Sequence, residues 1–146
     1  MLNAKSVIKQ GLTKVKEQES AKEESSEPAI NELVERVFTT RNLVHFAHWN
    51  TNSYASHVAL GDLYDSIVDA VDDLVETYQG EFGLLSGLEC CECSAHDDII
   101  AQIKADSDWV KANRSKIANG STTIENMVDG LMAAYNKTLY KLKNLH

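Results

Sequence analysis

From Pro28 onward the apolar residues return every three or four positions, and no segment alternates with period two for long enough to form a convincing strand. That pattern leaves helices packed on helices as the way to build a core. Ile30, Leu33, Val37, Val44 and Ala47 place a first helix over about 28 to 50, with Pro28 at its first position and Ser26 or Glu27 just outside. The stretch NTNS interrupts the pattern, because Asn and Ser compete with the helical backbone for hydrogen bonds. Ser53 is the expected cap of a second helix, which runs to about Gln79 and is stopped by Gly80 and Gly83. The segment LLSGLECCECS reads as an irregular or short-helical connection.

A third helix is expected to start near Ser94 to His96 and to end at Asn119-Gly120. Thr122 and Glu125 stand at capping-box spacing for a fourth, with Ile124, Val128, Leu131, Tyr135, Leu139 and Leu142 as its apolar positions. Four helices joined in pairs by short turns predict an all-α antiparallel four-helix bundle over residues 28–146, the longer middle connection crossing its end or side. A single Pro and 7 Gly argue against an all-β sandwich, which needs many turns.

Residues 1–27 read as an arm with a linker. The first sixteen carry Lys5, Lys9, Lys14 and Lys16 with no acid, and Leu2, Ile8, Leu12 and Val15 fall near one face of a short amphipathic helix. KEQESAKEESSE then forms a polar, acid-rich spacer. The net charge of −8 weakens nucleic-acid binding by the chain as a whole and fits an interest in cations; DNA contact is left to the basic arm. No window approaches a membrane span, and the first residues lack the apolar run of a secretory signal, so a cytoplasmic setting is expected. Cys90, Cys91 and Cys93 are too closely spaced for ordinary intrachain disulfides, and reduced thiols are the simplest account.

Three of the 5 histidines fall within HFAHWNTNSYASHVALGD, and a carboxylate-rich run, YDSIVDAVDDLVE, follows. On a helical wheel with His57 at zero, Asp72 lies at about 60°, Asp65 at about 80°, Glu76 at about 100° and Asp69 at about 120°. His48 ends the preceding helix, and an antiparallel hairpin carries it toward His57. Imidazole nitrogen with carboxylate oxygen suits Fe(II), Zn(II) or Mn(II). The plainer alternative is a solvated acidic face beside a hydrogen-bonded histidine, with Trp49 packing the bundle.

HFAHW, a following His, and D-x-x-x-E on the next helix together resemble the ferroxidase signature of the Dps miniferritins. NGSTTIENMVDGLMAAYNKTLYKL is similar to that family's last helix, so the resemblance covers roughly residues 29 to 145. TNSYASHVALGDLYD also resembles an uncharacterised ferritin-like family of tailed phages, which implies a phage origin, in host cytoplasm or virion. The resemblance implies a ferritin-like bundle with His48 and His57 as the histidine ligands of an iron site. Asp72 and Glu76 would be the acidic pair, contributed across a two-fold axis. It also implies a homo-oligomer, a dimer at least and often a dodecamer, that oxidises and stores Fe(II).

Three departures accompany it. The loop between the histidines is three residues shorter than the family's, Gly61 stands where the family has a carboxylate, and the Cys-rich segment replaces a longer insertion. Asp65 is the expected substitute carboxylate, and His45 an extra ligand or a supporting partner. The rival expectation is a non-enzymatic helical module with a degenerate metal site. No E-x-x-H occurs, so the intrachain di-iron pattern is unsupported. Cys90, Cys91, Cys93 and His96 make an awkward zinc set, because C-C-x-C crowds one ion.

Overall fold

The computed structural model describes residues 28–90, 93 and 98–146, and among them the only regular elements are four helices. They are α1 (Ala29–Asn50), α2 (Tyr54–Phe82), α3 (Ile99–Ala118) and α4 (Thr122–Asn144). The arm, Cys91 and His96 lie outside the described residues. Each helix pairs with two neighbours: α1 with α2 and α3, and α4 with α2 and α3. The result is an all-α four-helix bundle.

All four adjacent pairs run antiparallel. Short turns reverse the chain between α1 and α2 and between α3 and α4. Arg36 and Thr40 of α1 reach Asp106 of α3, while residues near the end of α1 meet Ile99 and Ile100 at the start of α3. Lys141, late in α4, bonds Asp62, early in α2. The long connection therefore joins the end of α2 to a helix that starts at the opposite end of the bundle. It travels along the side, over α1: the Ser86 carbonyl accepts from Asn31, Glu89 N–H donates to Glu35, and Cys93 lies beside Asn42. The chain thus forms two antiparallel hairpins joined by one long crossover.

The core is the apolar stripe of each helix turned inward. Ile30, Leu33, Val37 and Val44 of α1 meet Leu60, Leu63, Ile67, Val71 and Leu74 of α2, with Ile103, Val110 and Ile117 of α3 and Ile124, Val128, Leu131 and Tyr135 of α4 opposite. Burying such a side chain contributes about 1.5–3 kcal/mol, which makes this stripe the main source of stability.

Several boundaries differ from the sequence expectation for local reasons. Pro28 is the residue outside α1 rather than its first turn: its ψ of 134° is extended, and its carbonyl accepts from Asn31. Gly80 lies inside α2, which continues to Phe82; Gly83, at φ 97°, ends it and donates to the Gln79 carbonyl. Asp98 caps α3 by accepting from Ala101 N–H, so that helix begins later than Ser94 to His96. Ser121, not Thr122, caps α4, accepting from Ile124 N–H. Glu125 turns instead to Arg114 of α3. Asn119 and Gly120 both take positive φ, as their stop role requires.

Candidate functional site

The turn between α1 and α2 is only Thr51 to Ser53, held by Ser53 N–H on Thr51 Oγ1 and by Ser53 Oγ on Ser56 N–H. So tight a reversal sets the last turn of α1 against the first turn of α2. His48 and His57 meet there, with ring centres 3.7 Å apart and planes inclined by 24°. The Nδ1 of His48 lies 2.7 Å from the His57 carbonyl oxygen, and the Nδ1 of His57 lies 3.0 Å from the His48 carbonyl oxygen. A carbonyl only accepts, so both Nδ1 atoms carry the proton and donate. In each neutral ring Nε2 then holds the lone pair, the tautomer a metal ligand needs. The His48 carbonyl also belongs to the last turn of α1, where backbone acceptors lack helical partners. His57 thus closes that helix end as well.

Stacking limits what the pair can hold. A metal binds imidazole close to the ring plane at about 2.0–2.1 Å. One ion shared by two nearly parallel rings would sit far out of both planes.

Around this pair stand His45, Trp49 and Tyr64. The His45 ring stacks on Tyr64 with centres 4.0 Å apart and touches Trp49 at 4.2 Å, and Tyr64 meets His48 edge-on at 5.3 Å. Partial burial, then the Arg41 guanidinium and His48, hold the His45 imidazole below its ordinary value, with Asp65 opposing. One face of His45 is thus covered by Tyr64, and its ring meets His48 edge-on with centres 6.1 Å apart. Trp49 does not pack the bundle as expected: it is 64% exposed, because it falls one position beyond the apolar stripe of α1.

The carboxylates lie elsewhere. Asp65, Asp69, Asp72 and Glu76 are all exposed, on the side of α2 facing away from the buried stripe of Leu63, Ile67 and Leu74. At about 1.5 Å per residue, Asp72 is ~22 Å and Glu76 ~28 Å along α2 from His57. Within one chain they do not meet the histidines. Among the described residues no group of three or more His, Cys, Asp or Glu is close enough to hold an ion. Asp65 and Asp69 border a shallow cleft with Arg41 and Tyr64, and Asp65 acts electrostatically on His45. The hairpin thus has an imidazole end and a carboxylate end.

A model of a protein family, DUF5856, a family of unknown function, matches residues 48–142, more than half of the chain. The chain belongs to that family. The matched span opens at His48 and takes in His57, Asp65, Asp72 and Glu76, whereas His45 precedes it. Comparison with curated proteins and comparison with solved structures each gave no match.

A second polar cluster escaped the sequence reading. Asp106 is 1% exposed between α1 and α3, where Arg36, Thr40 and Gln102 donate to its carboxylate. Arg36 also bonds Glu32 and lies over the Trp109 ring at 4.5 Å. Among the described residues the buried Tyr135 hydroxyl has no hydrogen-bond partner. Burial and the nearby Asp106 push its ionisation well above the ordinary tyrosine range, against Arg36. The available signal was spacing: Asp106 interrupts the stripe of Ile103, Val110 and Ile117, where an acid needs partners.

Proposed function

We propose that this protein binds Fe(II) as substrate and oxidises it at a site shared between two copies of the chain. The observation that carries this reading is the reciprocal Nδ1 lock of His48 and His57, which orients two imidazoles as ligands at one end of a hairpin whose other end bears Asp72 and Glu76. Two copies with α2 packed antiparallel about a two-fold axis near Asp65 would bring His48 and His57 against the partner subunit's Asp72 and Glu76. Arg41, in the cleft with Asp65 and Asp69, supplies positive charge near that axis. The four-helix bundle with one side crossover and the resemblance to the miniferritin signature support the same reading.

The chemistry follows from the donor set. Imidazoles and carboxylates hold Fe(II) with positions open to an oxidant. A pair of Fe(II) ions delivers the two electrons that reduce one hydrogen peroxide to water, with two protons taken up; with dioxygen the same pair yields peroxide. The Fe(III) product favours hard carboxylate oxygens, so the acidic stripe is suited to moving it away from the histidines toward hydrolysis and storage. Zn(II) and Mn(II) fit the same ligands and are the expected competitors.

Gly61 favours a second reading, a non-enzymatic helical module of the same fold, since it removes the carboxylate nearest the histidines. Anaerobic Fe(II) titration followed by air separates the two. The ferroxidase reading expects saturable binding and rapid oxidation, both lost in His57→Ala/Asp72→Ala with helicity retained. Weak binding without oxidation, or unchanged oxidation in the double variant, refutes it.

A further inference from the structure

The crossover leaves a groove of about 300 Å³ where it lies on α1. Its floor is apolar, formed by Val34, Phe38 and Leu88, and its rim carries Glu35 and Glu89 with no basic residue among the described lining side chains. Phe38 and Leu88 are 47% and 48% exposed, so the groove presents open apolar surface on which a partner segment can bury its own apolar side chains. The groove is distinct from the histidine corner: Phe38 lies ~15 Å along α1 from His48.

We propose that residues 1–16 of the same chain dock in this groove. Three observations select that occupant. Ile8, Leu12 and Val15 recur at helical spacing, giving the apolar stripe that helix-in-groove recognition requires. The same sixteen residues carry four lysines and no acid, complementary to the acidic rim. The reach is also sufficient: Phe38 stands ~15 Å along α1 beyond Pro28. Residues 17–27, at about 3.3 Å each, span up to ~36 Å. Being tethered, the arm needs only modest intrinsic affinity, because the linker holds it at about millimolar effective concentration. Docking removes Phe38 and Leu88 from water and places the lysines over Glu35 and Glu89. DNA is thereby not the arm's resting partner.

The test places a photoreactive benzoylphenylalanine at position 12 of the full chain, irradiates it in dilute solution and maps the adducts by mass spectrometry. Adducts on residues 34–42 or 88–90 are expected. They should fall about tenfold with Ile8→Asp, a change outside the bundle, and with Phe38→Asp, whose fold is checked by circular dichroism; a tenfold loss corresponds to about 1.4 kcal/mol of docking energy. Raising salt should reduce them further, since the lysine contacts are screened. Adducts absent or confined to other surfaces overturn the proposal. So do groove adducts that persist in both variants, or an arm that crosslinks only to added duplex DNA.

Discussion

A Cβ placed on Gly61 would stand 3.3 Å from Cε1 and 3.4 Å from Nδ1 of the His48 ring. The missing side chain is what lets that imidazole lie between His57 and the backbone of α2. Gly61, read from sequence as a lost carboxylate, is also the seat of the His48 ring. Alanine in a helix interior gains roughly 0.5–1 kcal/mol over glycine. Here the His48 ring, pinned through Nδ1, must give by a few tenths of an ångström. Gly61→Ala is therefore expected to change global stability by less than about 1 kcal/mol while disturbing the His48 tautomer. Long-range ¹H–¹⁵N imidazole spectra would check this; an unchanged Nδ1–H signature for His48 would show that the close approach is not needed.

Asp106→Ala should be among the most damaging substitutions away from the histidine corner. It removes a buried acceptor of three donors and leaves Thr40 and Gln102 without it. Because Arg36 keeps 35% of its side chain in solvent, the loss is expected near about 2–3 kcal/mol rather than the upper limit for a broken buried ion pair. Urea denaturation would measure it, and a loss under about 0.5 kcal/mol would contradict the assignment.

Tyr135→Phe carries the opposite expectation. The hydroxyl is buried and makes no hydrogen bond among the described residues, so deleting it removes a desolvated group without breaking such a bond. Thermal unfolding should show neutrality or stabilisation by up to about 1 kcal/mol. A clear loss would place a water between that hydroxyl and Asp106.

Acid sensitivity should come partly from the α3–α4 face. Arg114 grips Asp129 through two hydrogen bonds of 2.6 and 2.7 Å and holds its carboxyl below the ordinary value of 3.8, against desolvation. A carboxylate depressed in the folded state stabilises the fold above its unfolded value, and that contribution disappears as pH falls through the folded value. Asp129→Asn should thus be less stable than the parent at neutral pH and show a shallower loss below about pH 4. Parallel pH–stability curves for the two proteins would remove Arg114 as the cause.

The helices were legible because each buries a stripe that repeats with the helical period, and Ser53, Gly83 and Asn119-Gly120 mark ends by chemistry visible in sequence. Ser121 and Thr122 were not separable, since either hydroxyl can cap and only backbone angles decide. The route of the crossover was open for a related reason: Asn31 and Asn42, which meet it, look like ordinary polar helix positions. At the site, the pairing of His48 with His57 followed from the short turn. The distance of Asp72 and Glu76 from them follows from simple rise per residue, which a wheel projection hides. Asp106 differs from the exposed acids in that it interrupts an apolar stripe, a signal carried by spacing and not by charge clustering.

The claim that imidazole and carboxylate ends complete one iron site between copies is tested most directly by mixing two inactive proteins. One carries His48→Ala with His57→Ala, the other Asp72→Ala with Glu76→Ala, and subunits are exchanged before Fe(II) and oxidant are added. Each alone should oxidise Fe(II) no faster than buffer, while the mixture should recover up to about a quarter of parent activity, half of the dimers being mixed and each holding one intact site of two. A mixture as inactive as its components, with exchange verified by mass, or full activity in either variant alone, would contradict the shared site.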